Sequence, residues 1–289
     1  MTPETLAGLY LVPTPIGNRE DITLRSLRVL REVDLIAAED TRHSGQLLAF
    51  YEITTPLISF HEHNRAQRIP QLVAKLQAGL AMVSDRPTAI AIITDAGTPG
   101  ISDPGQDLVR ACIEAAIPVT PLPGATACIP ALVASGLPTD RFVFEGFLGR
   151  QSKQRLAELA QEPRTIILYE APHRLRKTLL ALQEALGRDR EICLVRELSK
   201  RYEEFWRGTL AAACTHAETV APRGEFCLVI AGYTAPPVVL DEAAISQALQ
   251  NLIASGVSPS QASRQLAQTH GLSRRQVYQI ALAIANPLE

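Results

Sequence analysis

Several apolar runs in this chain show no polar alternation: "AIAIIT" (89–94), "TIIL" (165–168) and "FCLVI" (226–230) are unbroken. A half-exposed strand alternates apolar and polar residues, so a run apolar throughout must be covered on both faces. "LYLVP", "DLIAAED", "PLISF", "PVTPL", "FVFEGF" and "EICLVRE" also read as strands, and segments of helical period lie between them. In "DITLRSLRVLREV" Ile22, Leu24, Leu27, Leu30 and Val33 broadly mark one helix face; in "GQDLVRACIEAA" Leu108, Val109, Cys112 and Ile113 do the same. Strands buried on both faces and joined by helical crossovers predict an α/β fold with two mostly parallel sheets. Sheets of about five strands divide the chain near "PLPGATACIP", giving expected α/β domains at 1–122 and 123–235.

The paired prolines of "AGYTAPPVVL" read as a linker. Beyond it the sequence predicts no strands, only three helical segments, and a small helical domain is expected at 241–289. Ser258-Pro-Ser-Gln261 and Ser273-Arg-Arg-Gln276 each spell S-x-x-Q, a capping pattern at a helix start. Val277, Ile280, Ala281 and Ile284 make one apolar face of the last segment, and the trio resembles a helix-turn-helix. Arg264, Arg274 and Arg275 are balanced by Asp241, Glu242 and Glu289, so nucleic-acid contact and a plain helical cap or dimer contact both stay open.

A net charge of -2 over 289 residues argues against a general nucleic-acid coat, though not against a local basic face. Between Arg150 and Arg207, thirteen lysines and arginines face nine aspartates and glutamates, making the second α/β region the expected RNA side, with Lys153 and Arg155 as candidates. The five cysteines show no C-x-x-C spacing, so neither zinc nor a disulfide framework is expected. No apolar run approaches the roughly 20 residues of a membrane span, and "MTPETLAGLYLVP" has no leader pattern, so the expected location is cytoplasmic with no membrane partner.

In α/β sheets ligands bind beyond the carboxyl ends of the strands, and here those loops are rich. "VPTPIGN" stiffens its backbone with two prolines and is neither a dinucleotide fingerprint nor a P-loop. "AEDTRH" brings Glu39, Asp40, Arg42 and His43 together, groups able to bind or deprotonate a hydroxyl; Asp40 or Thr41 could instead simply cap a helix. In "TDAGTPGISDPG" the second half reads as a helix start, Asp103 the cap and Pro104 the first helical residue. "TDAGTPG" is left asking for a ligand. "PLPGATA" turns into a helix whose first amides could meet a small ligand, and "YEAPHR" joins acid, imidazole and guanidinium at another strand end.

Taken in order, "LYLVPTPIGNREDIT", "AAEDTR", "HEHN", "TDAGTPGISDPG", "PGATA", "YEAPHR", "RELSKRYEEFWRGTL" and "RGEFCLVI" closely resemble the ribosomal RNA small-subunit ribose methyltransferases of the tetrapyrrole-methylase-like superfamily. The resemblance covers residues 9 to about 232, and a helical tail also occurs in that family. It implies two α/β domains holding S-adenosylmethionine in the cleft between them, and methyl transfer to the ribose 2′-hydroxyl of a cytidine in the decoding region of 16S rRNA. By the same resemblance Pro13, Pro15, Ile16, Gly17, Asp95, Gly97, Thr98, Thr126, Ala127, Tyr169 and Glu170 line the cofactor, residues 221–224 close over adenine, and the chain forms a homodimer. Two departures stand out: a first loop reading "PTPIGN" where related members are glycine-rich, and Thr94-Asp95 after the lead-in "MVSDRPTAIAI".

Methyl transfer from a sulfonium needs alignment, little water and a route for the hydroxyl proton, and it needs no metal. The candidates for base or hydroxyl-orienting group are Glu39, Asp40, His61 and Glu197, with Arg42 at the reacting end. Arg42, Asn64, Arg174 and Lys200 are the expected phosphate or ribose holders. The rival readings are a tetrapyrrole-type small-molecule methyltransferase of the same superfamily and a non-catalytic nucleic-acid-binding regulator.

Overall fold

The computed structural model describes residues 5–81, 87–149, 152–219, 222–234, 242–270 and 272–285, in two compact units, Met1–Tyr233 and Thr234–Glu289. The lead-in at 82–86, Ala221, the prolines of the expected linker, Asp241 and Glu289 lie outside the described residues.

The first sheet alternates strands and helices: β1 (Gly8–Leu11), α1 (Leu24–Glu32), β2 (Leu35–Ala38), α2 (Thr41–Phe50), β3 (Leu57–Ser59), α3 (Arg65–Ala81), β4 (Ala89–Ile93), α4 (Gln106–Glu114) and β5 (Val119–Pro121). Its order is β3-β2-β4-β1-β5, with every pairing parallel. β4 shows why the sequence lacks alternation: Ala89, Ala91 and Ile93 enter one core and Ile90 and Ile92 the other. Each fully buried isoleucine contributes about 1.5–3 kcal/mol, so both layers hold the sheet. On α1 the buried residues are Ser26, Val29 and Leu30, while Leu24, expected inside, is exposed. Thr23 caps that helix by accepting from the Ser26 amide, which leaves Leu24 in the first, solvent-facing turn.

The second sheet follows α5 (Cys128–Ser135) and comprises β6 (Phe142–Phe147), α6 (Ser152–Ala160), β7 (Thr165–Glu170), α7 (Leu175–Leu186), β8 (Glu191–Arg196), β9 (Glu204–Thr209), α8 (Leu210–Thr219) and β10 (Phe226–Ile230). Its order is β6-β7-β10-β8-β9. Only β6 and β7 pair in parallel; β10 lies antiparallel to β7 and β8, and β9 antiparallel to β8. The expectation of parallel pairing therefore holds in the first sheet and not in most of the second. Coverage on both faces is what an unbroken apolar run reports, and β10 has it: Phe226, Leu228 and Ile230 face one core, Cys227 and Val229 the other. Strand direction leaves no such mark. β9 also escaped the sequence reading, because as an edge strand it carries Glu204 and Arg207 among its apolar residues.

All five cysteines are free and buried, serving as small apolar residues. In the second unit α9 (Glu242–Ala254), α10 (Pro259–His270) and α11 (Arg274–Ala285) pack around Leu249, Ala262, Leu266, Ala267, Val277 and Ala281. Ser258 accepts from the Gln261 amide at the start of α10, as its capping pattern predicts. No described helix is long and apolar enough to cross a membrane.

Candidate active site

The loops beyond β1 and β4 are tied to one another by main-chain bonds, and the loop beyond β2 joins them through the side chains of Glu39 and Asp95. Thr14 and Gly97 exchange two backbone hydrogen bonds of 2.9 and 3.0 Å, and Thr14 Oγ1 donates to the Thr94 carbonyl. Gly97 adopts φ +86°, which an L side chain resists, so this glycine makes the turn possible. Its amide and carbonyl are spent on Thr14 and are not bare to a ligand. Thr98 Oγ1 donates to the Ala125 carbonyl at 2.9 Å, joining the β4 loop to the entry of α5. Tyr169 Oη accepts from the Cys128 amide at 3.1 Å, so β7 fixes the other side of that entry.

These loops surround a cavity of about 470 Å³. From the first sheet it is lined by Ile16, Glu39, Asp95, Gly97 and Thr98; Thr126 and Ala127 come from the α5 entry, and Tyr169, Glu170, Glu197 and Lys200 from the second sheet. Eight of the eleven residues expected to line the cofactor are therefore gathered here. Pro13, Pro15 and Gly17 stand outside the lining. Gly17 instead permits a close approach between loops, since a Cβ there would meet Lys200 Cγ at 2.5 Å and the Ser199 carbonyl at 2.9 Å. It lets the β8–β9 loop close on the first loop, where the Asn18 amide donates to Ser199 Oγ and that hydroxyl reaches Asp21.

The "AEDTR" residues divide. Glu39 points into the cavity, where burial raises its carboxyl above the usual range although the Asp95 amide, donating at 3.4 Å, offsets part of the rise. Asp40 caps α2, accepts from the Arg42 amide at 2.8 Å and is gripped by the Arg42 guanidinium, which holds its carboxyl well below the usual range. Asp40 and Arg42 thus satisfy each other outside the lining, and an acid so depressed is a weak proton acceptor.

His61 and Asn64 form a local cap: Asn64 Oδ1 accepts from the His61 amide at 2.9 Å and its amide nitrogen donates to Ser59. His61 Nδ1 is buried with no partner among the described residues, close enough for its charge to act on Glu39. Burial pulls the Glu197 carboxyl upward, yet the Glu225 amide and the Lys200 ammonium outweigh it and hold the group low. Glu170, though in the lining, is 1% exposed and accepts from Thr178 Oγ1 and the Ala171 amide. Arg174 donates to the Gly149 carbonyl. Arg155 spends its guanidinium on Glu145 and the Phe147 carbonyl, whereas Lys153 is exposed.

The sequence reading missed Asp103, Glu225 and the apolar lining of Ile101, Phe147, Val195, Leu198 and Phe226. Asp103 is the correction of most consequence: α4 begins at Gln106 with Gly105, φ +149°, as its N-cap and no side-chain cap bond. The "SDPG" segment is thus not an aspartate cap. Asp103 lies in the cavity instead, its carboxyl pushed up to about 7 by burial and by Glu39, Asp95 and Glu225. Six carboxylates line this space with Lys200 as the one cation among the described residues, an arrangement suited to a small ligand bearing positive charge and an apolar portion. No group of three metal-ligating side chains occurs among the described residues.

Residues 8–214 match the family described as tetrapyrrole (corrin/porphyrin) methylases, and residues 239–285 match one described as the RsmI C-terminal HTH domain. A Synechocystis sp. protein named ribosomal RNA small subunit methyltransferase I is 56% identical over 280 residues, covering 96% of this chain and 98% of that protein. The Bacillus subtilis protein of the same name is 44% identical, covering 93% and 92%. Among solved structures, uroporphyrin-III C-methyltransferase of Thermus thermophilus, complexed with S-adenosylhomocysteine, superimposes with a TM-score of 0.52 at 22% identity. That match covers 78% of this chain and 97% of the other, a likeness of fold.

Proposed function

This chain belongs to the tetrapyrrole (corrin/porphyrin) methylase family, and from that premise we propose that it is an S-adenosylmethionine-dependent methyltransferase of small-subunit ribosomal RNA. Its target is the ribose 2′-hydroxyl of a cytidine in the decoding region of 16S rRNA. The observation that carries the reading is the near-full-length identity to proteins named for small-subunit rRNA methylation, helical C-terminal unit included.

The cavity fits the cofactor by its donor set. S-adenosylmethionine carries an ammonium and a sulfonium against one carboxylate, a net positive charge that the excess of carboxylates favours, and an adenosyl portion, which the apolar lining favours. When bound it supplies an electrophilic methyl group. Asp95, Thr98, Thr126, Ala127 and Tyr169 hold it, with Ile16 on the apolar side. Glu170 acts at one remove, fixing the start of α7 through Thr178. Glu39 lines the reacting end of the cavity, and the Asp40–Arg42 pair keeps that loop in place beside Asp95, whose Oδ1 accepts from the Asp40 amide at 3.2 Å.

An acidic cavity repels phosphodiesters, so the RNA backbone stays outside and only an unstacked, uncharged ribose and base enter. Lys153 is the candidate for outer phosphate contact; Arg155 and Asn64 are committed to their own chain. The same acidity disfavours a polycarboxylate tetrapyrrole as substrate. The deciding measurement offers labelled cofactor and 30S subunits from a strain lacking the modification, and maps the labelled nucleotide. Label on a cytidine 2′-oxygen is the expected result, while label on no nucleotide, or transfer only to a precorrin-type substrate, refutes the proposal. Lys153→Glu should lower the salt dependence of 30S binding by about one phosphate contact; an unchanged slope removes Lys153 from the RNA face.

A further inference from the structure

We infer that Asp103 is the group that takes the proton from the attacking hydroxyl, an inference that rests on the methyltransferase reading above. A hydrogen bond from a protein donor stabilises the ionised form of a carboxylate and weakens it as a proton acceptor, and the carboxylates around the cavity differ in how many they receive. Glu197 accepts from Lys200 and the Glu225 amide, Glu225 from Lys200, and Glu170 from Thr178 and the Ala171 amide. Asp95 receives the Asp40 amide and Glu39 receives the Asp95 amide. Asp103 is the member of the set for which no hydrogen bond or ion pair is found among the described residues, so both of its oxygens are available.

The backbone around it points the same way. Ser102 takes φ +63° and Gly105 φ +149°, a left-handed step and a glycine-dependent one on either side of Asp103-Pro104. The helix behind begins without a side-chain cap although an aspartate stands two residues before its N-cap. Backbone strain and a forgone cap together turn a carboxylate into the cavity that holds the cofactor loops. The charged groups facing it are Glu39 beyond β2, Asp95 beyond β4 and Glu225 before β10, with Glu170, Glu197 and Lys200 in the same lining. They keep the carboxyl near 7, where an acceptor is most effective at neutral pH, and a cation entering beside it drives it toward the ionised form.

The step balances. The 2′-oxygen bonds to the methyl carbon of the sulfonium donor, the carbon–sulfur bond breaks with its electron pair going to sulfur, and the hydroxyl proton passes to an oxygen of ionised Asp103. Solvent receives that proton after the product leaves.

The test compares wild type with Asp103→Asn on unmodified 30S subunits under single turnover, and measures S-adenosylmethionine binding by calorimetry near pH 6, where the native carboxyl is mostly neutral. The expected result is a rate loss of at least about 100-fold with cofactor affinity kept within about tenfold. The wild-type rate should rise to a plateau with a midpoint no higher than about 7, and the variant should show a flat profile. A smaller loss, or a larger fall in affinity, overturns the assignment. Should Asp103→Asn fail to fold, Asp103→Glu decides: transfer with a shifted midpoint supports it and a pH-independent rate overturns it. A readout free of the RNA separates this inference from the function itself: cofactor binding near pH 7, in buffers of differing ionisation enthalpy, should release a fraction of a proton in wild type and none in Asp103→Asn. Release that persists in the variant overturns the role of Asp103 even if 30S is not the substrate.

Discussion

At the scale of single residues, side chains of the same type serve opposite ends. Asp40 is held ionised by Arg42, while Asp103 is held near neutrality by burial and three carboxylates. Their loops read alike in the sequence, each an acid ahead of a helix. What separates them is the three-dimensional bend at Ser102 and Gly105, which no local pattern announces. The linkage sign follows: the folded state binds a proton at Asp103 between about 4, its value in the unfolded chain, and about 7. Stability from this group is therefore full at low pH and falls as pH rises through that window. Without cofactor, Asp103→Asn should melt higher than wild type near pH 8 by roughly 2–4 °C, a change of about 1 kcal/mol, and the two should converge near pH 4. Equal melting temperatures at both pH values refute a raised carboxyl at half-buried Asp103. The glycines give a paired test. Gly17→Ala places a methyl group against Ser199 and Lys200 and should cost about 1–3 kcal/mol, seen as a lower thermal midpoint. Gly45→Ala, inside α2 with nothing within 4 Å, should gain about 0.5–1 kcal/mol.

At the scale of elements, nine of the ten described strands were legible, the central ones because burial on both faces leaves an unbroken apolar run, as in β4 and β10. Direction was not legible, because an apolar run records coverage and says nothing of the neighbour's polarity. β9 was hidden for the complementary reason, its outer edge being polar. The site loops were legible as strand ends, and the resemblance to the methyltransferase family pointed within them to Asp95, Thr98, Thr126 and Tyr169, while Glu225, which precedes a strand, was missed. The junction of β7 and α7 shows how an element is held by a buried acid: Glu170 has essentially no solvent and is held by Thr178 Oγ1, the Ala171 amide and, at 3.7 Å, the Arg174 guanidinium. Thr178→Val keeps the volume and removes the hydroxyl. It should destabilise by about 1–3 kcal/mol, and urea unfolding checks it; a change below about 0.5 kcal/mol means Glu170 finds another donor.

At the scale of the whole molecule, each compact unit has an apolar core of its own, the helical one built on Leu249, Leu266 and Val277. A chain ending at residue 234 should therefore fold and bind S-adenosylmethionine within about threefold of the full chain, by calorimetry; loss of binding would tie the cavity to the helices. The balanced arginines of the C-terminal helices leave their partner open, as the sequence did. The buried thiols carry a consequence for the chain as a moving object. Cys112 lies in a core of the first sheet, Cys193 and Cys128 in one core of the second, Cys214 on the buried face of α8, and Cys227 in the cavity lining itself. A thiol reagent can reach the four sulfurs outside the cavity lining only when the surrounding structure opens, so their labelling rates form an internal set of clocks, each timing the opening of its own part of the protein.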